Sequence, residues 1–198
     1  MIKTALQKIM ALPVMYDWMQ NFFGLQKKKR ILRDILKFNN DACVVLDVVG
    51  GTGLYQDFWP ADYKYICLDF DIVKLSGFKG KNPEGYALCA DAAQLSLKSN
   101  SVEYVFCSSL SHHISEDLLE KMISEMSRVV KPGDTLIFID AVLISKSRLN
   151  RFLWSLDRGE HPHTYSVLEN LIHKYFIIET SRKFSIYYDY ILIIAKKF

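Results

Sequence analysis

Nowhere in the 198 residues is there a run of about 18 consecutive apolar side chains, the length that a membrane-spanning helix requires. The opening segment from Met1 to Leu25 is interrupted by Lys3, Gln7, Lys8, Asp17, Gln20 and Asn21, which fits neither a span nor a signal-peptide core. Charge of one sign is also scarce. Lys and Arg total 25 against 22 Asp and Glu, and a net +3 gives no general attraction to nucleic acid or an acidic membrane. Cysteine is sparse as well: Cys43, Cys67, Cys89 and Cys107 form no CxxC pair, and each lies in a short apolar run. A zinc site would have to gather four ligands from four strands, so the four read as buried thiols in a reducing, cytoplasmic setting, without metal or disulfide. No repeat, low-complexity tract or linker divides the chain, and its length suits one domain over residues 1–198.

What is present is a regular alternation. Half of the residues are apolar and 24% are charged, the balance of a chain that folds around a core. From Ala42 onward short β-branched runs alternate with helical patterns, the mark of a parallel sheet carrying helices on its faces. Strands are predicted over Cys43–Val48, Tyr63–Leu68, Gly85–Cys89, Val102–Ser108 and Thr135–Ile139. Helices are predicted before the first strand, after Gly53, after Asp71 and over Glu116–Val130, where Leu118, Leu119, Met122, Ile123 and Met126 keep helical spacing and Pro132-Gly133 follows as a stop. A further helix is expected over Ser166–Tyr175 with Ser166 as its cap. The strand-like tail, Phe176–Thr180 and Tyr187–Ala195, leaves no room for a crossover helix and so permits an antiparallel pair.

Residues 1–25 predict two short helices broken at Pro13, the second with Met15, Trp18, Met19 and Phe22 at helical spacing. They form a flap whose aromatics Tyr16, Trp18 and Phe22 either pack or close over a site. The basic run Lys27 to Arg30 reads as the solvated face of a helix whose other face carries Ile31, Leu32, Ile35 and Leu36.

The stretch Asp47-Val48-Val49-Gly50-Gly51-Thr52-Gly53 ends a buried strand in a turn where glycine allows sharp bending and close approach of a ligand. Asp69 ends the next strand and Asp91 the one after, so three acids line one edge of the sheet, the edge where open α/β folds bind ligands. A carboxylate at Asp69 suits the paired hydroxyls of a ribose.

These residues resemble the class I S-adenosylmethionine-dependent methyltransferases, in particular the small bacterial enzymes of the methyltransferase-11 type. Asp47 to Gly53 is similar to the family's D-x-G-x-G-x-G loop, Asn100 to Val105 to its N-S-F-D-x-V, Leu110 to Ile114 to its L-x-H-H-L, and Ser127 to Gly133 to its A-R-V-L-K-P-G turn. The resemblance implies an α/β fold: a Rossmann-like, mostly parallel seven-stranded sheet with helices on both faces and an antiparallel C-terminal strand. Residues 42–140 would form the cofactor-binding core and 141–198 the substrate side and final strands. It implies S-adenosyl-L-methionine as cofactor and S-adenosyl-L-homocysteine as product. Asp47, Val49, Gly51 and Gly53 would lie by the methionine part, Asp69 would hold the ribose with Phe70 beside the adenine, Asp91 and the Ala92 amide would read the adenine edge, and Ser108 would offer backbone to the amino group. Val49 departs from the family's first loop glycine. A β-branched residue resists positive φ, so Gly50 is expected to absorb the bend.

Methyl transfer from a sulfonium is an in-line displacement that alignment can drive without a metal. A hydroxyl acceptor must also lose a proton, for which His113 is the expected base and His112 its alternate. The polar run Asp157 to His163 suits a substrate wall, so Tyr16, Asp140, Arg158, His161 and His163 are expected on the substrate side. The expected partner is a small-molecule acceptor, with hydroxyl O-methylation as the reaction and no nucleic acid or membrane. The rival readings are a catalytically impaired cofactor-binding or interaction protein, prompted by Val49, and an RNA or protein methyltransferase, prompted by the Lys27 to Arg30 run.

Overall fold

The structure, a computed structural model, describes residues 12–22, 24–38, 41–142 and 161–198. Seven strands form one sheet: β1 (Val44–Val48), β2 (Lys64–Asp69), β3 (Tyr86–Cys89), β4 (Val102–Ser108), β5 (Val130–Val142), β6 (Phe176–Ser185) and β7 (Asp189–Lys197). Their order is β3-β2-β1-β4-β5-β7-β6. The first five are parallel, and β7 runs antiparallel between β5 and β6. Five helices are described: α1 (Pro13–Phe22), α2 (Leu25–Ile35), α3 (Ile72–Lys81), α4 (Glu116–Val129) and α5 (Tyr165–His173).

The central strands are apolar on both faces because both faces are covered. Leu46, Val48, Val105 and Leu136 pack toward α4 and α5, whereas Val45, Phe106, Ile137 and Ile139 pack toward α2 and an aromatic group of Tyr55, Phe58, Trp59 and Tyr63. The outer strand β6 instead buries only Phe176, is otherwise partly or fully exposed, and carries Arg182 and Lys183, charges that discourage edge pairing with another chain. Helix α4 buries Leu119, Met122, Ile123, Met126 and Val129 at spacings of three and four, begins at the Ser115 cap, and carries Glu116 and Asp117 in its first turn. Arg128, at its other end, donates to the Leu95 and Leu97 carbonyls at 2.8 Å and to Glu125, which ties the helix end to the approach to β4. That clamp gives the Arg of the Ser127 to Gly133 motif a structural purpose.

Several expectations need correction. No α-helix follows Gly53 among the described residues. A short 3₁₀ turn over Gln56–Phe58 takes its place, because Trp59 precedes Pro60 and is held extended. Helix α5 is capped by Thr164, whose hydroxyl accepts from the Val167 amide, and Ser166 lies inside the first turn. Strand β5 starts directly after α4, with Pro132-Gly133 inside its irregular first part; β6 runs on to Ser185, beyond the predicted Thr180, and β7 lies two residues later than predicted. Of the cysteines, Cys43, Cys67 and Cys107 are buried free thiols, but Cys89 is exposed on the outer strand β3. The basic run is a solvated face only in part, at Lys27 and Arg30. Lys28 and Lys29 are 2% and 3% exposed, because the inward stripe of α2 is Leu25, Lys28, Lys29 and Leu32. Val49 itself takes a left-handed φ of 62°, while Gly50 is not among the positive-φ residues. The first of the two flap helices expected in residues 1–25, and Arg158 with the rest of 143–160, lie outside the described residues.

Candidate active site

At the C-terminal ends of β1 and β2, the loop after Val48 turns through left-handed conformations at Val49, Gly51 and Gly53, with φ of 62°, 60° and 72°. Asp69 fastens this turn from the neighbouring strand: one carboxylate oxygen accepts from the Gly51 amide at 2.9 Å and the other from the Asp71 amide at 2.8 Å. A carboxylate offers about four acceptor positions, so both oxygens keep capacity for a further donor. Asp47 lies buried beneath the loop and accepts from the Tyr65 hydroxyl. Burial pushes its carboxyl up to about 7, Asp69 adds to the rise, and the Tyr65 hydrogen bond opposes it. The requirement for glycine at Gly53 is partly one of packing, since a Cβ there would stand 2.2 Å from the Phe78 ring.

Along the same edge, Phe70 is 80% exposed after β2. Asp91 is exposed after β3 and accepts from the Ala93 amide at 2.8 Å, with Ala92 buried behind it. Helix α1 covers the glycine turn. The Tyr16 ring reaches over Gly51, where a Cβ would meet it at 3.3 Å, and burial, Asp69 and Asp47 together push its hydroxyl pKa up. Asp17 fixes the helix by accepting from Thr52 and from Lys81, and the Lys74 ammonium lies 5.0 Å from the Tyr16 ring centre. The space left among Tyr16, Gln20, Asp47, Val49, Ser108 and Ser109 is about 20 Å³. That is room for a single water molecule, against the roughly 300–1,000 Å³ of small-molecule sites. A much larger open groove, about 1030 Å³, runs past Tyr63, Lys64 and Tyr86 at the beginnings of β2 and β3 and reaches Gly53 and Leu54 at the end of the glycine turn.

The second half of the edge is the corner between β4 and β5. Asp140 is fully buried and accepts from the amides of Leu110, Ser111 and Ala141 at 2.7, 2.6 and 2.7 Å. Its fourth partner is His112 Nδ1 at 2.7 Å. Burial alone would raise this carboxyl; the His112 ring and the two preceding amides outweigh it and hold Asp140 below the usual carboxylate range. His113 is exposed, and its ring centre stands 4.0 Å from that of His112. The His161 amide donates to the His112 carbonyl at 3.0 Å, and His163 Nε2 lies 3.1 Å from the Ile114 carbonyl. The His161 backbone amide and the His163 imidazole therefore pin the returning chain against the β4 corner. Asp140 does not join His161 and His163 around a common point, and among the described residues no group of three or more such side chains is arranged to hold a metal.

The glycine turn, the strand-end acids and the β4 motif all lie within one matched segment: a family model described as a methyltransferase domain covers residues 46–138. Residues 46–138 form an S-adenosylmethionine-dependent methyltransferase domain. The chain is 31% identical over 140 residues to a malonyl-[acyl-carrier protein] O-methyltransferase of Marinomonas sp. (strain MWYL1), covering 67% of this chain and 51% of that protein. It is 33% identical over 94 residues to a demethylmenaquinone methyltransferase of Renibacterium salmoninarum, covering 47% of this chain and 39% of that protein. The chain thus spans about half, or less, of the length of these curated relatives. Among solved structures, a SAM-dependent methyltransferase of Methanosarcina mazei superposes with a TM-score of 0.73 at 17% identity, covering 84% of this chain and 96% of that one. This likeness is one of fold, and the seven-stranded Rossmann-like sheet is the fold in question.

In this methyltransferase domain the structure brings Asp47, Val49 and Ser108 around one small space, with Gly51 bonded to Asp69 in the adjoining turn and Phe70, Asp91 and Ala92 further along the edge. Gly53 turns toward Phe78 instead. Tyr16 does reach the site, whereas Asp140 lies wholly beneath His112. Sequence reasoning missed Asp17, Gln20, Tyr55, Ser109 and Lys28. For Lys28 a signal existed, since it stands in phase with Leu25 and Leu32. No helix of the described residues is long and apolar enough to cross a membrane.

Proposed function

We propose that this chain transfers the methyl group of S-adenosylmethionine to a small-molecule acceptor at oxygen, with His112 as general base. The observation that carries this reading is the His112–Asp140 pair, 2.7 Å apart at the sheet edge that also carries the glycine turn. The residues fit the cofactor: acids stand at the ends of β1 and β2 and just past β3, Asp69 retains acceptor capacity for ribose hydroxyls, and Gly51 leaves backbone open to close approach once Tyr16 withdraws. The cofactor supplies a methyl group on a sulfonium, ready for in-line attack.

The chain's own residues supply alignment and the proton acceptor. With Nδ1–H donated to Asp140, Nε2 is the His112 nitrogen that takes the acceptor's proton, and the fixed carboxylate stabilises the imidazolium that results. His112 is buried and held by Asp140 whereas His113 is exposed, so His112 is preferred here to the His113 expected from sequence. Helix α1 acts as a lid that opens to admit the cofactor and then excludes water. The name of the Marinomonas relative supports oxygen as the receiving atom. Incubation with methyl-labelled S-adenosylmethionine and a panel of hydroxyl, carboxyl and amine acceptors tests the reading: label is expected in an ester or ether product, and transfer to amines alone would refute it.

A cofactor-binding or interaction protein on the same fold is the second reading. It is favoured by the left-handed Val49 and by Tyr16 filling the space over Gly51.

A further inference from the structure

Among the described residues, Lys28 is a buried ammonium with no carboxylate at ion-pair distance. It is 2% exposed, and among the described residues it makes one hydrogen bond, 3.4 Å to Ser109 Oγ, and lies 5.4 Å from the centre of the Tyr190 ring. No carboxylate of the described residues stands at ion-pair distance; Asp140 acts on it from further off and is already saturated by three amides and His112. Its neighbour Lys29, one residue along α2, shows the ordinary arrangement: equally buried, it bonds Asp57. Leaving a charge unpaired in a protein interior is unfavourable, and such groups are retained where a partner arrives.

The surroundings point the ammonium toward the site. Ser109 holds a left-handed φ of 57° immediately after β4, and its amide is tied to the Ile139 carbonyl at 3.0 Å. A non-glycine residue kept in that conformation marks a place where the fold fixes a side chain at some expense. From Lys28 a row of hydroxyls continues: Ser109 Oγ lies 3.3 Å from Ser108 Oγ, which is 3.5 Å from the Tyr55 hydroxyl. Ser108, Ser109 and Tyr55 all line the small space beneath Tyr16. Burial lowers the Lys28 pKa to about 8, so the ammonium stays mostly protonated near neutrality.

We propose that Lys28 and Ser109 form an oxyanion-recognition point, and that the acceptor of this enzyme carries a carboxylate or phosphate that binds there. The inference rests on the methyltransferase reading of the site. An acceptor anion would complete the missing ion pair in low dielectric, where a charge-assisted hydrogen bond is strong and a neutral analogue leaves the ammonium unpaired. This selects acceptors by charge.

The test is calorimetric titration of the full chain saturated with S-adenosylhomocysteine, using malonate, inorganic phosphate and the neutral malonamide as probes. At least one anion is expected to bind wild type, malonamide is not, and the better anion tells carboxylate from phosphate recognition. Lys28→Met should weaken that anion at least tenfold while S-adenosylhomocysteine affinity stays within twofold; should this variant fail to fold, Ser109→Ala should weaken it at least threefold. Equal anion binding by wild type and variant, no anion binding by wild type, or equal binding of malonamide would overturn the proposal. Failure of wild type to bind S-adenosylhomocysteine at all would be a different result, removing the methyltransferase reading on which the proposal stands.

Discussion

Asp47 and Asp140 are both buried aspartates at the same edge of one sheet, and their carboxyls are driven in opposite directions. Asp140 collects three backbone amides and an imidazole, and its carboxyl falls below the ordinary range. Among the described residues Asp47 accepts from the Tyr65 hydroxyl alone, with Asp69 nearby, and its carboxyl rises to about 7. Burial is common to both, so the donors that the backbone aims at each group decide its charge. The β4–β5 corner is thus built around a permanent anion that holds a base in place. The β1 turn keeps a titrating acid under a strained loop with a helix across it.

The largest effect that would sharpen this contrast is kinetic. His112→Ala should lower kcat by roughly 10² to 10⁴, the usual contribution of a positioned base, whereas His113→Ala should change it by less than about tenfold. The reverse ranking would return the base role to His113. Next, Asp140→Ala should destabilise the fold by about 3–5 kcal/mol in chemical denaturation, because the amides of Leu110, Ser111 and Ala141 lose their buried acceptor. A loss below about 1 kcal/mol would show that the corner does not depend on it.

A smaller, pH-dependent effect belongs to Asp47. Its carboxyl ionises near 3.8 when unfolded and at about 7 when folded, so the folded state favours the protonated form. The associated stability is present below about pH 4 and is lost as pH rises through 7. Asp47→Asn should therefore flatten the decline in Tm between pH 5 and 7.5; an unaltered decline would place its cause elsewhere. The smallest change expected is at Val49. Glycine there relieves a left-handed φ worth roughly 1–2 kcal/mol, but loses side-chain packing and adds unfolded-state entropy, so denaturation should shift by less than about 1 kcal/mol. Cofactor affinity should be kept or tightened, and a weaker affinity in Val49→Gly would mean the side chain helps shape the pocket.

How much of this could be read from the residues depended on whether a single element carried the signal. Cys43 to Val48 and Val102 to Ser108 announce buried strands through unbroken apolar, β-branched runs, and the glycine turn with Asp69 and Asp91 marks the edge because each acid follows its own strand. Lys28 was passed over because a charged residue counts against burial, although its stem spans the same stripe as Leu25 and Leu32. The His112–Asp140 pair joins residues 28 apart through the β4–β5 register, which no local pattern contains. Thr164 and Ser166 are both good caps, and only the path of the chain entering α5 distinguishes them. Helix α1 buries no residue completely, so its packing over Gly51 leaves little trace in its periodicity beyond Tyr16 itself.

Titration of S-adenosylmethionine into wild type and Asp69→Ala tests the central claim most directly. The account predicts saturable one-to-one binding by wild type and a loss of about 1.5–3 kcal/mol for each charge-assisted hydrogen bond removed in the variant, with a melting transition retained in both. Absence of binding by wild type, or equal dissociation constants for the two proteins, would contradict it.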